Sequence, residues 1–233
     1  MRNAIEVIRE TDRQEVRRYL GYYGKKADAA IEEQIGFCLE EMCTAAEPGA
    51  VFRRCGLILH DDGRIQITAL PEDRVQGTLM ETASKSLARN LQGCCGAYLM
   101  AVTLGQGPDL VVRRAAVLSP GKMVICQAAG AAMAEAWCDE VNREIREEAS
   151  RLGFACRPRF SPGYGDLPLT LQKDFETALE MKKEIGISLT DSLLMVPTKS
   201  VTAIIGLTRE DTDCDIQGCD SCSSAEGCSY RRT

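Results

Sequence analysis

This chain is short of several things on which enzyme chemistry often rests. Among 233 residues there is one histidine, His60, at the edge of a predicted hairpin where a solvated or turn-capping role outweighs proton transfer. No basic run offsets a net charge of -6 and a pI near 5.1, which argues against nucleic acid as a partner. No apolar stretch reaches the roughly 18 to 20 residues that span a bilayer, so no membrane partner is expected. Met1-Arg2-Asn3-Ala4-Ile5-Glu6 lacks the apolar centre of a signal peptide, so the expected location is cytoplasmic. A glycine-rich strand-turn-helix phosphate motif is also missing, and no internal repeat is evident.

Cysteine, by contrast, is plentiful at twelve. Without an export signal the thiols are expected to be reduced rather than paired. Cys38, Cys43, Cys55, Cys94, Cys95, Cys126, Cys138 and Cys156 lie in apolar or periodic segments and read as small packing residues. The other four, Cys214, Cys219, Cys222 and Cys228, stand among Asp, Gly and Ser near the C-terminus. Their C-x4-C-x2-C-x5-C spacing suits tetrahedral zinc or an iron–sulfur cluster and does not decide between them; redox-sensitive thiols on a loose tail are the alternative. The expected organisation is one domain over residues 1–208 and a cysteine-rich metal-binding tail over 209–233.

Apolar periodicity predicts two helices between Asp12 and Ala46, broken near Gly21 and Gly24. Val51–Leu59 and Ile65–Leu70 flank Asp61-Asp62-Gly63-Arg64 and read as a hairpin. Leu79–Leu91 reads as a helix, Cys95–Leu104 as a buried strand, and Asp109–Leu118 as a short helix closed by Pro120-Gly121. A long helix is expected from Met123 to about Leu152, and an amphipathic one from Leu171 to Ile185. Two short extended pieces around Pro197 and a strand over Ser200–Leu207 complete the chain. Helices and hairpins without regular alternation predict an α+β fold, in which a mixed, largely antiparallel twisted sheet packs with several helices.

Arg159-Phe160-Ser161-Pro162-Gly163-Tyr164-Gly165 is the first candidate binding loop. Arg159 offers a fork of donors suited to a carboxylate, Gly163 and Gly165 let backbone approach a ligand, and Tyr164 adds an aromatic face with a hydroxyl. On composition alone a Pro-Gly turn beside a surface arginine is the favoured reading.

The order Arg-x-Ser-Pro-Gly-Tyr, an amphipathic helix, Ile185-Gly186-Ile187-Ser188-Leu189-Thr190-Asp191-Ser192, then Met195-Val196-Pro197-Thr198-Lys199-Ser200-Val201 resembles the activation domain of cobalamin-dependent methionine synthase. Arg18-Tyr19-Leu20-Gly21-Tyr22 and Val102-Thr103-Leu104-Gly105 are similar to segments of its small stand-alone relatives. Nothing resembles that enzyme's homocysteine-, folate- or cobalamin-binding modules.

The resemblance implies a domain that binds S-adenosylmethionine and presents its methyl group to an inactive cob(II)alamin on a partner. That partner would be a corrinoid-binding protein or truncated methionine synthase, and the electron would come from a flavodoxin-like or ferredoxin-like donor. Arg159 would pair with the ligand carboxylate, while Ser161, Gly163 and Tyr164 would line the rest. No catalytic acid or base is implied, because the protein's task is to orient the methyl donor. Gly165-Asp166-Leu167-Pro168-Leu169-Thr170 stands where the large enzymes carry Pro-x-Cys-Pro-x-His, and Thr202-Ala203-Ile204-Ile205 where they carry a ligand-contacting aromatic. Asp166 would meet the ligand amino group or cap the following helix, Lys199 would approach a carboxylate or the corrinoid, and Asp191 and Ser192 would brace the loop. These departures leave a second reading, a metal-bearing regulatory subunit whose ligand site has decayed.

Overall fold

The computed structural model describes residues 2–22, 27–73 and 76–209. Its centre is a six-stranded sheet in the order β3-β2-β1-β4-β8-β5. The strands are β1 (Gly49–Leu59), β2 (Arg64–Thr68), β3 (Thr78–Ala83), β4 (Gly96–Thr103), β5 (Ala155–Cys156) and β8 (Ser200–Thr208), and every neighbouring pair is antiparallel. Helices cover both faces, which explains why β4 is buried along its whole length. Tyr98, Met100 and Val102 point into one core with Ala203, Ile205 and Leu207, while Ala97, Leu99 and Ala101 point into the other with Ile204.

The first core is closed by α1 (Ala4–Arg9), α2 (Arg13–Tyr19), α3 (Ala29–Ala45), α5 (Gly107–Leu118) and α6 (Pro120–Arg151). Asn3, Asp12 and Asp28 accept backbone N–H bonds at the starts of α1, α2 and α3. Helix α1 has no counterpart among the predicted elements. Pro120-Gly121 does not close α5 but opens α6: Ser119 caps it and Pro120 takes the first helical position, where a missing N–H costs nothing.

The second core is closed by α4 (Lys85–Asn90), a 3-10 turn at Leu169–Leu171, α7 (Gln172–Ala178) and α8 (Met181–Ile185). Two expected helices are corrected here. Leu79–Leu91 divides into β3 and α4, because Thr78 to Ala83 pair with β2 and Ser84 Oγ accepts the Leu87 N–H at 3.1 Å, starting the helix afresh. Leu171–Ile185 breaks at Glu180, whose backbone is left-handed (φ 48°). That reset brings Met181 to full burial and leaves Lys182 outside, which continued helical phase from Phe175 and Ala178 would not do.

The extended pieces near Pro197 form a second, two-stranded sheet from β6 (Ser188–Leu189) and β7 (Met195–Val196). The α+β architecture therefore stands as expected. Among the described residues no helix is long and apolar enough to cross a membrane.

Candidate functional site

Residues 157–160 run back along the outer edge of β8. Arg157 N–H donates to Gly206 O at 2.8 Å, and Phe160 and Ile204 exchange bonds of 2.9 and 2.8 Å. Those contacts turn the N–H and C=O of Ile204, and by alternation those of Thr202 and Ser200, away from β4. After Phe160 the chain leaves the strand, so this edge of β8 opens into a cleft of about 450 Å³. Its lining joins the loop (Arg159, Phe160, Ser161, Pro162, Tyr164) to β8 (Ser200, Val201, Thr202) and to Glu135, Gln172 and Met195. At the back, Thr202 Oγ1 donates to Gln172 Oε1 at 3.0 Å, a buried pair that fixes the floor.

Arg159 is held against α6. Its Nη2 lies 2.8 Å from Asp139 and 3.3 Å from Glu135, one helical turn apart. Burial works against the guanidinium charge, yet these carboxylates keep its pKa raised. The thiol of Cys138 between them is pushed up to about 12 by burial and stays neutral at pH 7. Arg159 Nη1 is buried and has no hydrogen-bond partner, a donor prepared for an anionic oxygen. Glu135, a cleft residue absent from the sequence-based candidates, supplies the opposite charge beside it. On sequence it is one acidic position of a charged helix face.

The other candidates have different surroundings. Tyr164 lines the cleft with most of its side chain exposed, and Ser161 lies at the wall. Gly163 and Gly165 shape the loop from beneath. Both have positive φ, and a Cβ on Gly165 would stand 2.8 Å from Ser86 Oγ. Asp166 faces away from the cleft and clasps the start of α4, accepting from Ser84 Oγ at 2.6 Å, Lys85 N at 2.7 Å and Ser86 N at 3.0 Å. Those donors, Ser84 first, hold its carboxyl well below the usual range. It thus caps a helix about 80 residues earlier in the chain, where the sequence pointed to the following helix or a ligand ammonium.

Lys199 is half-buried just before β8, donating to Gln127 Oε1 of α6 at 2.6 Å, with burial lowering its pKa against the pull of Asp109. It does not line the cleft. Thr190 and Ser192 share a 2.9 Å hydroxyl contact within the β6–β7 turn, so Ser192 braces that turn rather than the Arg159 loop. His60 Nε2 meets Gln66 Oε1 at 2.9 Å on the β1–β2 hairpin, far from this chemistry. Cys38, Cys43, Cys55, Cys126, Cys138 and Cys156 are buried as expected, Cys94 partly so, but Cys95 is exposed. Cys214, Cys219, Cys222 and Cys228 lie outside the described residues, among which no cluster of metal-ligating side chains occurs.

The sequence pattern of the family described as "Vitamin B12 dependent methionine synthase, activation domain" matches residues 89–219. The chain belongs to this family. The match takes in the Arg159 loop, the β6–β7 hairpin and β8 together, the elements that build the cleft. A solved structure described as a MetH reactivation domain bound to AdoHcy shares the fold at a TM-score of 0.59 and 20% identity, covering 81% of this chain and 69% of that one. No curated protein matches the chain.

Proposed function

We propose that the cleft beside β8 binds S-adenosylmethionine and that the domain supports reductive methylation of an inactive cob(II)alamin carried by a partner. The observation that carries this reading is the buried, unpartnered Nη1 of Arg159 at the wall of a cleft whose other charged lining residue is Glu135. An amino-acid carboxylate and ammonium are a fixed distance apart, and a guanidinium next to a carboxylate matches that pair. Arg159 then takes the carboxylate and Glu135 the ammonium, while Asp139 keeps the guanidinium in place. The outward N–H and C=O of Thr202 and Ser200 offer a backbone edge to the nucleoside, and Tyr164 an aromatic wall. A relative solved with AdoHcy supports the ligand class.

Bound S-adenosylmethionine would supply an activated methyl group on its sulfonium. The residues present hold and orient it and exclude water from one side; none is placed as an acid, base or nucleophile, and none is needed for that task. The partner is a corrinoid-binding protein or a methionine synthase lacking its own activation domain, with a flavodoxin-like or ferredoxin-like electron donor. In the same reading residues 209–233 form a separate unit in which Cys214, Cys219, Cys222 and Cys228 bind zinc or an iron–sulfur cluster.

Isothermal titration with S-adenosylmethionine tests the site. Binding that Arg159→Ala weakens by about tenfold or more, the loss expected when a charge-assisted contact is removed, supports it. Equal affinity in the variant takes Arg159 out of the site. No stabilisation by S-adenosylmethionine, S-adenosylhomocysteine or cobalamin in thermal melts returns the chain to the regulatory reading.

A further inference from the structure

Two buried cysteines face each other where α3 packs on α6. Phe37 and Glu41, one turn apart on α3, both meet Lys122 of α6, whose Nζ lies 2.6 Å from Glu41 Oε2 and 4.7 Å from the Phe37 ring centre. Two turns further along α6, Gly130 has no room for a side chain, because a Cβ there would stand 2.7 Å from Met42 Cε. Cys126 lies midway between Lys122 and Gly130 on the same stripe, and Cys38 lies one turn before Met42 on the facing helix. The two thiols therefore meet, and they hydrogen-bond to each other inside the core.

Their settings differ. The contact with Cys126, and then burial, push the Cys38 thiol well up, so Cys38 keeps its proton. The hydrogen bond from Cys38 draws the Cys126 thiol down against the cost of burial, with help from the Lys122 ammonium and opposition from Glu41. Glu41 is itself held by both Lys122 and Arg114, which blunts that opposition. Phe37, Glu41, Val111 and Arg114 also line a cavity of about 340 Å³ between α3 and α5. It reaches the turn of α3 that carries Cys38 and admits a molecule as small as hydrogen peroxide.

We propose that Cys38 and Cys126 form a peroxide-reactive dithiol in which Cys126 attacks and Cys38 resolves, leaving a disulfide between α3 and α6. Cys126 sulfur attacks one peroxide oxygen and the O–O bond breaks, giving a sulfenic acid and a first water, which carries the proton that Cys126 released. Cys38 sulfur then attacks the Cys126 sulfur, the S–O bond breaks, and the hydroxyl leaves with the Cys38 proton as a second water. One peroxide is reduced to two waters and two thiols are oxidised to one disulfide. The site is separate from the cleft beside β8, so its test stands whether or not S-adenosylmethionine binds there.

The test treats the reduced full chain with stoichiometric hydrogen peroxide, then denatures and alkylates it for peptide mass mapping. A Cys38–Cys126 cross-linked peptide that dithiothreitol dissolves supports the proposal, and it should be lost in both Cys38→Ser and Cys126→Ser. With dimedone present, Cys38→Ser should trap the sulfenic acid on Cys126, whereas Cys126→Ser should leave Cys38 unlabelled. Label on Cys38 but not on Cys126 overturns the assigned roles. Oxidised wild type in which Cys38 and Cys126 both remain open to alkylation, or in which peroxide links only other cysteines, overturns the site, and this measurement needs no variant to fold.

Discussion

The two ends of β8 belong to one uninterrupted ladder with β4, yet they differ in what lies on the strand's other side. At the Leu207 end the outer edge is taken up by β5 and Arg157, and Gly206 is packed so closely that no side chain fits. At the Ser200 end the covering segment has turned away after Phe160, and the same edge becomes the wall of a cleft. A strand thus opens a cleft by losing a neighbour part-way along, and its backbone supplies polar groups that no side-chain motif announces.

Substitutions at each end sharpen this contrast. The largest effect is expected from Gly206→Ala, whose new Cβ would stand 2.6 Å from Cys94 Sγ and 2.7 Å from Leu91 Cδ2. Overpacking there should cost about 1 to 3 kcal/mol in chemical denaturation, with S-adenosylmethionine affinity changed less than about twofold because the cleft is roughly 13 Å along the strand. A tenfold loss of ligand affinity would show that the ends are not independent. Thr202→Val comes next. It keeps the shape but strands Gln172 Oε1, so a stability loss of about 1 to 2 kcal/mol should be accompanied by weaker ligand binding.

Acid probes the cleft end more gently. Asp166 has a depressed folded pKa, set first by Ser84 Oγ, so its contribution is present above the ordinary aspartate value and lost as pH falls below about 4 towards its folded value. Melting temperature measured from pH 7 to pH 3 should therefore fall less steeply in Asp166→Asn than in the wild type; parallel curves would remove Asp166 as the loop's anchor. The smallest effect belongs to Lys199→Met. Losing a half-buried ammonium that does not line the cleft should shift stability by under about 0.5 kcal/mol and leave ligand affinity unchanged in titration. A marked loss of binding would bring Lys199 back into the site.

The same contrast explains what was legible in the chain. Strands β4 and β8, the Asp62-Gly63 hairpin and the long helix α6 follow from period and turn chemistry, because local pattern and tertiary role agree there. The β3–α4 boundary was hidden because Met80, Leu87 and Leu91 fit a helical stripe while only Ser84 marked the join. The break at Glu180 carries no Gly or Pro; packing of Met181 imposes it. Within the site, the Arg159 loop was readable as a motif, whereas Glu135 and the open edge at Thr202 required the topology. Asp166 was legible as a cap, but not as one for a helix so distant in sequence.

The loop from Ser161 to Gly165 has fixed abutments: Phe160 is bonded to Ile204 on one side and Asp166 to α4 on the other. A span held at both ends does not swing like a lid, so a ligand enters and leaves through the open face of the cleft. On the proposed function, a partner that covered this face would act as the gate, deciding when the methyl donor loads and when the spent nucleoside leaves.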